Sequence, residues 1–187
     1  MKFLKNRAAA IFITVVIVVA SVTFGVNRTA MRMTRDIERM FYEGIINDQG
    51  FREPSINAQL ETISTMALNL ATLLQNYPEL ADDAENLLNA RRTLLSADSI
   101  GEKSAAWLPL REAFAYLTLK AQEDYADILT QRDLEAVDHF WQMYFGAFDL
   151  AARLAWNYNE EVNEFRRGQN FIASLLNINN TTPEHFN

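Results

Sequence analysis

The sequence predicts an all-α protein in which an N-terminal transmembrane helix precedes an elongated antiparallel helical bundle. Two observations predict this fold: a long uncharged stretch near the start, and apolar residues spaced three and four apart along most of the remaining chain. Outside the uncharged stretch, no segment of useful length alternates with the period of two that strands require. The predicted organisation is a short basic tail at 1–7, a transmembrane signal anchor at 8–26, a helical bundle domain at 27–177 and a flexible C-terminal tail at 178–187.

The predicted anchor, residues 8–26, is a run of nineteen residues without a charge, AAAIFITVVIVVASVTFGV. As a helix it would rise roughly 28 Å, close to the ~30 Å hydrocarbon thickness of a bilayer. A cleavable signal peptide is the alternative, but it usually has a shorter apolar core and a clear small-x-small cleavage site. Here Val18, Val19 and Val22 crowd the candidate site. We therefore expect a retained anchor that contacts membrane lipid through residues 8–26.

The sequence indicates the orientation of this single-pass anchor less clearly than it indicates the span itself. Basic residues flank the stretch on both sides, at Lys2, Lys5 and Arg7 before it and at Arg28, Arg32, Arg35 and Arg39 after it. The positive-inside rule does not decide the orientation for such a pattern. The short, signal-like basic start favours a cytoplasmic tail, which would place the helical domain on the extracytoplasmic side of the cell membrane.

Charge and composition exclude nucleic-acid binding and any site that is built from cysteine. The formal charge is −7, and because the three charges before Asn27 are all positive, the remainder of the chain carries −10. Nucleic-acid binding needs clustered Lys and Arg, so we expect no nucleic-acid partner. The chain has no cysteine, which excludes disulfides and thiolate metal sites.

Sequence breakers divide the predicted bundle into helices. The first helix is expected to continue beyond the membrane, with Ile37, Met40, Phe41 and Ile45 on one face, and to stop at residues 47–50. A second helix should begin after Pro54 with Ser55 as its N-cap and should end at Tyr77-Pro78. Its apolar stripe is Ile56, Leu60, Ile63, Ala67, Leu70 and Leu74.

A third and a fourth helix follow. The third should bury Leu80, Ala84, Leu87, Leu88, Leu94 and Leu95, with Asp82 and Asp83 near its start, where the helix dipole favours negative charge. Residues 96–103 are polar and predict a loop. The fourth helix is expected from about Pro109 in a first-turn position, and its stripe is Leu110, Phe114, Leu117, Ala121, Tyr125 and Ile128.

The fifth helix has the strongest pattern in the body of the protein. Its apolar residues recur at alternating steps of three and four, the coiled-coil period of 3.5, at Leu134, Val137, Trp141, Tyr144, Phe148, Ala151, Ala155, Tyr158, Val162 and Phe165. This helix should form the spine of the bundle.

Candidate catalytic and metal-binding residues are few. Glu135 lies one helical turn before His139, but a di-metal bundle needs a second such pair on a facing helix, and the sequence has none. The acidic groups at 82–85 and 160–164 diverge around their helices and are typical of solvated faces. The sequence also lacks a phosphate-binding glycine loop and a nucleophile elbow. We expect no catalytic, cofactor or metal site, and therefore no enzyme.

The candidate interaction patch is a cluster of aromatic residues on the fifth helix. It comprises Phe140, Trp141, Tyr144, Phe145 and Phe148. Phe140 and Phe145 lie off the main apolar stripe, so they either pack on a third helix or form an exposed surface for a partner. Of these two alternatives we favour packing.

Motifs near the C-terminus resemble those of the bacterial LemA family. They are Asn-Tyr-Asn-Glu-Glu-Val-Asn-Glu-Phe at 157–165, Asn-Phe-Ile-Ala-Ser-Leu-Leu at 170–176 and the closing Glu-His-Phe at 184–186. The family's Arg-Arg-x-Asp-Leu-Ile-Pro-Asn-Leu-Val element is not present in this sequence. The resemblance implies a membrane-anchored helical bundle of unestablished role, and it carries over no catalytic residue.

Two functions remain open from the sequence. The first is a structural or protein-interaction module of the bacterial cell envelope that binds another envelope protein or itself. The alternative is an envelope sensor that binds a small apolar ligand or a peptide between its helices, with the aromatic residues at 140–148 as the lining.

Overall fold

The computed structural model describes residues 7–46, 50–176 and 183–186, and it shows an all-α helical bundle. Within these residues the only strand-like pairing is an isolated bridge between Ile46 and Arg52. Residues 1–6 of the predicted basic tail, 47–49 of the predicted helix stop, and 178–182 and 187 of the predicted C-terminal tail lie outside the described residues. The five helices of the described residues are α1 (Arg7–Glu43), α2 (Ile56–Leu74), α3 (Ala81–Leu95), α4 (Ile100–Glu123) and α5 (Gln131–Leu176).

The chain divides into two compact units. The first unit comprises Met1–Glu38 and Val162–Pro183, and the second comprises Arg39–Glu161 and Glu184–Asn187. Helices α1 and α5 each contribute residues to both units, whereas α2, α3 and α4 belong to the second unit alone. The predicted boundary between anchor and bundle domain at residue 27 falls inside α1 and stays a prediction.

Helix α1 contains the candidate membrane span. Among the described residues it is the one helix long and apolar enough to cross a bilayer, over Ile11–Glu43, and its most apolar stretch is not buried. The core helix of a soluble protein would be mostly buried, whereas a signal sequence near the N-terminus can pass the same test of length and hydropathy as an anchor. Retention of the span therefore stays a prediction.

Helix α1 ends earlier than the sequence predicted. Phe41 is buried as expected, but the helix stops at Glu43 because Gly44 takes a left-handed conformation with φ of +78°. A Cβ at Gly44 would also overlap the carbonyl oxygen of Glu53, so the turn requires glycine for two reasons. The predicted helix end at 47–50 is wrong. The apolar spacing continues past Gly44 and so did not indicate that the helix ends there.

Helices α2 and α3 largely confirm the prediction. The Ser55 hydroxyl accepts a hydrogen bond from the Ala58 N–H at 3.0 Å and caps α2. All six residues of the predicted α2 stripe are buried. In α3, Leu80, Ala84, Leu87 and Leu94 are buried, but Leu95 is 49 % exposed, so its assignment to the core is wrong.

Helix α4 begins nine residues before the predicted start. Ser99 and Glu102 form a capping box, in which each side chain accepts a hydrogen bond from the backbone N–H of the other residue. Pro109 lies inside the helix instead of in its first turn. The predicted loop at 96–103 is therefore wrong from Ile100 onward.

Neighbouring helices of the second unit run antiparallel. Between α2 and α3, the Arg91 Nε donates to the Ser64 carbonyl at 3.0 Å. Between α3 and α4, Lys120 and Asp83 form an ion pair at 2.6 Å. Residues further along each helix thus meet residues nearer the start of its neighbour, as short connections require.

The predicted stripe of α5 faces the core at most positions. Leu134, Trp141 and Phe148 are half-buried. The buried members are Val137, Tyr144, Ala151, Ala155, Tyr158, Val162 and Phe165.

Candidate interaction surface

The aromatic residues predicted as one patch divide between core and surface. Tyr144 is 3 % exposed, and its ring stacks on Phe114 of α4 with the centroids 3.9 Å apart. Phe148 is half-buried and stacks on Trp107, also of α4, at 5.4 Å. Trp141 is half-buried, with its ring stacked on Phe114 at 6.4 Å. These three residues therefore join α5 to α4, and the stacking leaves little of them for a partner.

The hydroxyl of Tyr144 is a buried polar group within this stack. It has no hydrogen-bond partner among the described residues. Burial raises the pKa of Tyr144, and the charge of the Arg111 guanidinium opposes that shift without cancelling it. The phenol is therefore neutral at ordinary pH. Its hydroxyl has lost its contact with water without gaining a partner, which lowers the stability of the folded protein.

Phe145 lies on the surface, and the favoured alternative of packing is wrong for it. Its side chain is 59 % exposed. Phe140 is half-buried, and its ring lies 6.3 Å from that of His139 in a tilted arrangement. Of the five predicted residues, only Phe145 has the exposure that a docking surface requires.

The structure adds Trp156, which is 67 % exposed and was not part of the predicted patch. Phe145, exposed Ala152 and Trp156 are seven and four residues apart, so they share one side of the helix. We call these three residues the outer face of α5. Helical spacing of three and four residues predicts the buried stripe of α5. The same spacing, applied to the aromatic residues outside that stripe, places Phe145 and Trp156 on one face.

Charges around the outer face are mostly negative. Asp149 and Arg153 form an exposed ion pair at 3.2 Å, four residues apart. Between Asp138 and Glu161 the helix carries four carboxylates, and Arg153 is its only lysine or arginine. The stretch of α5 that carries the outer face is thus net acidic.

Glu135 and His139, one helical turn apart on α5, belong to no larger cluster of possible metal ligands among the described residues. His139 is exposed, and Glu135 accepts a hydrogen bond from Gln131 at 3.1 Å. In the described part of the chain, no three His, Asp or Glu side chains come together as a metal site would require.

The two acidic groups also diverge. Asp83 pairs with Lys120, and this hydrogen bond raises the pKa of the lysine, whereas Glu85 pairs with Arg92 at 2.8 Å. The glutamates at 160–164 are exposed.

Residues 183–186 are packed, so the prediction of a flexible tail is wrong for them. Phe186 is 2 % exposed, with its ring 5.4 Å from that of Phe41 and 6.4 Å from that of Trp107. The Tyr158 hydroxyl donates to the Glu184 carbonyl at 2.8 Å. We call the surface that holds this segment the C-terminal groove, and it is formed by Phe41, Gly101, Trp107, Tyr158 and Asn159.

No protein-family model and no curated protein matches this chain.

Proposed function

We propose that this chain is a membrane-anchored helical bundle that works as a structural and protein-interaction module. The observation that carries the proposal is the outer face of α5, where Phe145 and Trp156 expose more than half of their side chains on one side of a helix. Large exposed aromatic residues are the side chains that contribute most binding energy at protein interfaces.

The geometry of the outer face favours a helical partner. Phe145 and Trp156 are eleven residues apart, which places them about 16 Å apart along the helix. The steps of seven and four residues repeat the spacing with which helices pack side by side. Ala152 between the two rings leaves room for a partner's side chain. We therefore expect a partner helix with apolar residues at the same spacing.

The charges near the outer face of α5 predict which residues should flank the apolar residues of the partner helix. Because Asp138, Asp149 and Glu160 lie within about 60° of Phe145 around the helix axis, basic residues on that edge of the partner helix would be complementary. Anchoring through α1 would hold both proteins at the same membrane and raise their effective concentration, which a small apolar face needs for stable binding.

The setting we propose is the bacterial cell envelope, with residues 8–26 in the cell membrane and the helical domain on the extracytoplasmic side. The similarity of the segments at 157–165 and 184–186 to the LemA family supports this setting. The proposal assigns no catalytic activity to the chain.

The test is site-specific photocrosslinking from position 152 in intact cells at native expression. We expect a discrete adduct that disappears in the Phe145→Ala/Trp156→Ala double variant. Tyr116→Ala is the matched control, because it removes an aromatic residue of similar exposure from α4, and it should retain the adduct. An adduct of twice the chain mass would identify a second copy as the partner. Absence of an adduct, or an adduct that the double variant retains, would overturn the proposal.

A sensor that binds a small apolar ligand between its helices is the second candidate. The unpartnered, buried Tyr144 hydroxyl favours it, because a ligand in the core could accept the hydrogen bond that the described residues do not. A small alcohol or phenol that stabilises the wild type against heat but not Tyr144→Phe would support the sensor. Equal stabilisation of both proteins would contradict it.

A further inference from the structure

Two side chains of α5 bind the backbone of the segment in the C-terminal groove. The Asn159 carboxamide accepts a hydrogen bond from the Phe186 N–H at 2.9 Å, and its Nδ2 donates to the Phe186 carbonyl. One amide thus satisfies both backbone groups of one residue, as a neighbouring strand does. The Tyr158 hydroxyl donates to the backbone carbonyl of Glu184. These contacts hold the backbone of the segment whatever its side chains are.

Two further contacts select side chains. The Phe186 ring is buried against Phe41 and Trp107, which makes an aromatic subsite. The Glu184 carboxylate accepts a hydrogen bond from the Gly101 N–H in the first turn of α4, where the helix dipole favours an anion.

Gly101 is suited to this contact. A Cβ there would lie 3.0 Å from the Glu184 Oε2, so only glycine lets the carboxylate approach without displacement. The middle residue, His185, places its Nδ1 3.3 Å from the Asn159 Oδ1. The groove therefore selects a carboxylate and, two residues later, a phenylalanine.

We propose that the C-terminal groove is a peptide-recognition site for segments of the form Glu-x-Phe, and that residues 184–186 are its intramolecular ligand. The segment closes the site until a competing peptide of the same chemistry displaces it. Because the segment contributes one buried ring and a few hydrogen bonds, it belongs to the parts of a fold that open at low cost. The outer face of α5 contributes no residue to this site, so the inference is independent of the proposed docking surface.

The test is fluorescence anisotropy with a labelled peptide of residues 181–187, Thr-Thr-Pro-Glu-His-Phe-Asn, titrated with the full chain in detergent micelles. The Phe186→Ala chain has a weakened internal ligand and an intact groove. We expect it to bind the peptide at least tenfold more tightly than the wild type does. Peptides carrying Glu184→Gln or Phe186→Ala should bind at least tenfold more weakly than the parent peptide.

Two further chains separate recognition from other causes. Adding Asn159→Ala to the Phe186→Ala chain should abolish peptide binding, because the backbone contacts are lost. Adding Phe145→Ala/Trp156→Ala instead should leave binding unchanged, so failure of the proposed docking surface would be distinguishable from failure of the groove. Association of the Phe186→Ala chain with the single variant Asn159→Ala would show that a second copy's segment acts as the competing ligand, and would also support recognition.

A folded Phe186→Ala chain that binds no peptide would overturn the inference. If this variant does not fold, the same titration on the Glu184→Gln chain decides, because it changes only an exposed carboxylate. Tighter peptide binding than the wild type would then support the site, and affinity equal to the wild type would overturn it.

Discussion

Phe114 of α4 and Tyr144 of α5 stack face to face, with ring centroids 3.9 Å apart and planes inclined by 8°. The rings hold the two helices together, whereas the Tyr144 hydroxyl has no partner among the described residues. We therefore predict that Tyr144→Phe keeps the stack and raises the free energy of unfolding by up to about 1 kcal/mol. Urea unfolding followed by circular dichroism measures the change.

Tyr158→Phe is the matched control, because the Tyr158 hydroxyl donates to the Glu184 carbonyl at 2.8 Å. Its loss should lower the free energy of unfolding by about 1 kcal/mol. Opposite signs for the two variants are expected. A loss of stability in Tyr144→Phe equal to that in Tyr158→Phe would show that the Tyr144 hydroxyl is bound in the folded protein.

The end of α1 provides a second prediction. Gly44 and Gly50 both have positive φ, +78° and +81°, but a Cβ would overlap the Glu53 carbonyl only at Gly44. Gly50→Ala should cost about 1 kcal/mol of stability from backbone strain alone. Gly44→Ala should cost more than Gly50→Ala in the same thermal unfolding experiment. Equal costs would mean that the turn between Gly44 and Glu53 opens to admit the methyl group.

The capping box of α4 provides a third prediction. Ser99→Ala removes the hydroxyl that accepts from the Glu102 N–H, and it should cost about 1 kcal/mol. Ser99→Gly should lower the free energy of unfolding by only a few tenths of a kcal/mol, because glycine is itself tolerated as an N-cap. Thermal unfolding of both variants measures the difference, and an Ala variant as stable as the wild type would contradict the assigned helix start.

A fourth prediction concerns pH. The Tyr77 hydroxyl donates to the Asp133 carboxylate, as does the Thr130 hydroxyl at 2.7 Å, and these bonds lower the pKa of Asp133. A carboxyl whose folded pKa is lowered stabilises the protein above its unfolded pKa of about 4, and this contribution disappears as the pH falls through the folded value.

The wild type should therefore melt at a higher temperature than Asp133→Asn at pH 7, and the difference should shrink below about pH 4. Glu135→Gln is the control, because this exposed carboxylate lies only two residues after Asp133 in α5. A difference between wild type and Asp133→Asn that does not change with pH would contradict the lowered pKa.

Helical spacing predicted the buried faces of the bundle, because burial of one side of a helix imposes a regular pattern on the sequence. The stripes of α2 and α5 and the Ser55 cap are examples. The start of α4 was predicted too late because Pro109 is typical of a first turn, although Ser99 and Glu102 have the spacing of a capping box. The end of α1 was misplaced because the contact between Gly44 and Glu53 joins residues whose proximity no local pattern encodes.

The candidate surface was predicted only in part for a similar reason. Spacing alone does not determine which residues off the main stripe meet another helix, so exposed Phe145 and buried Tyr144 were placed in one patch. The contact of Phe186 with Phe41 and Trp107 joins three distant parts of the sequence. Such pairings depend on the packed fold and leave no periodic pattern.

Alkaline carbonate extraction of membranes from cells that express the chain at native level tests membrane anchoring most directly. Anchoring by α1 predicts that the full-length protein, with residues 8–26 still attached, stays in the membrane pellet and floats with lipid in a density gradient. Full-length protein in the soluble fraction, or a mature product that has lost residues 8–26, would contradict it.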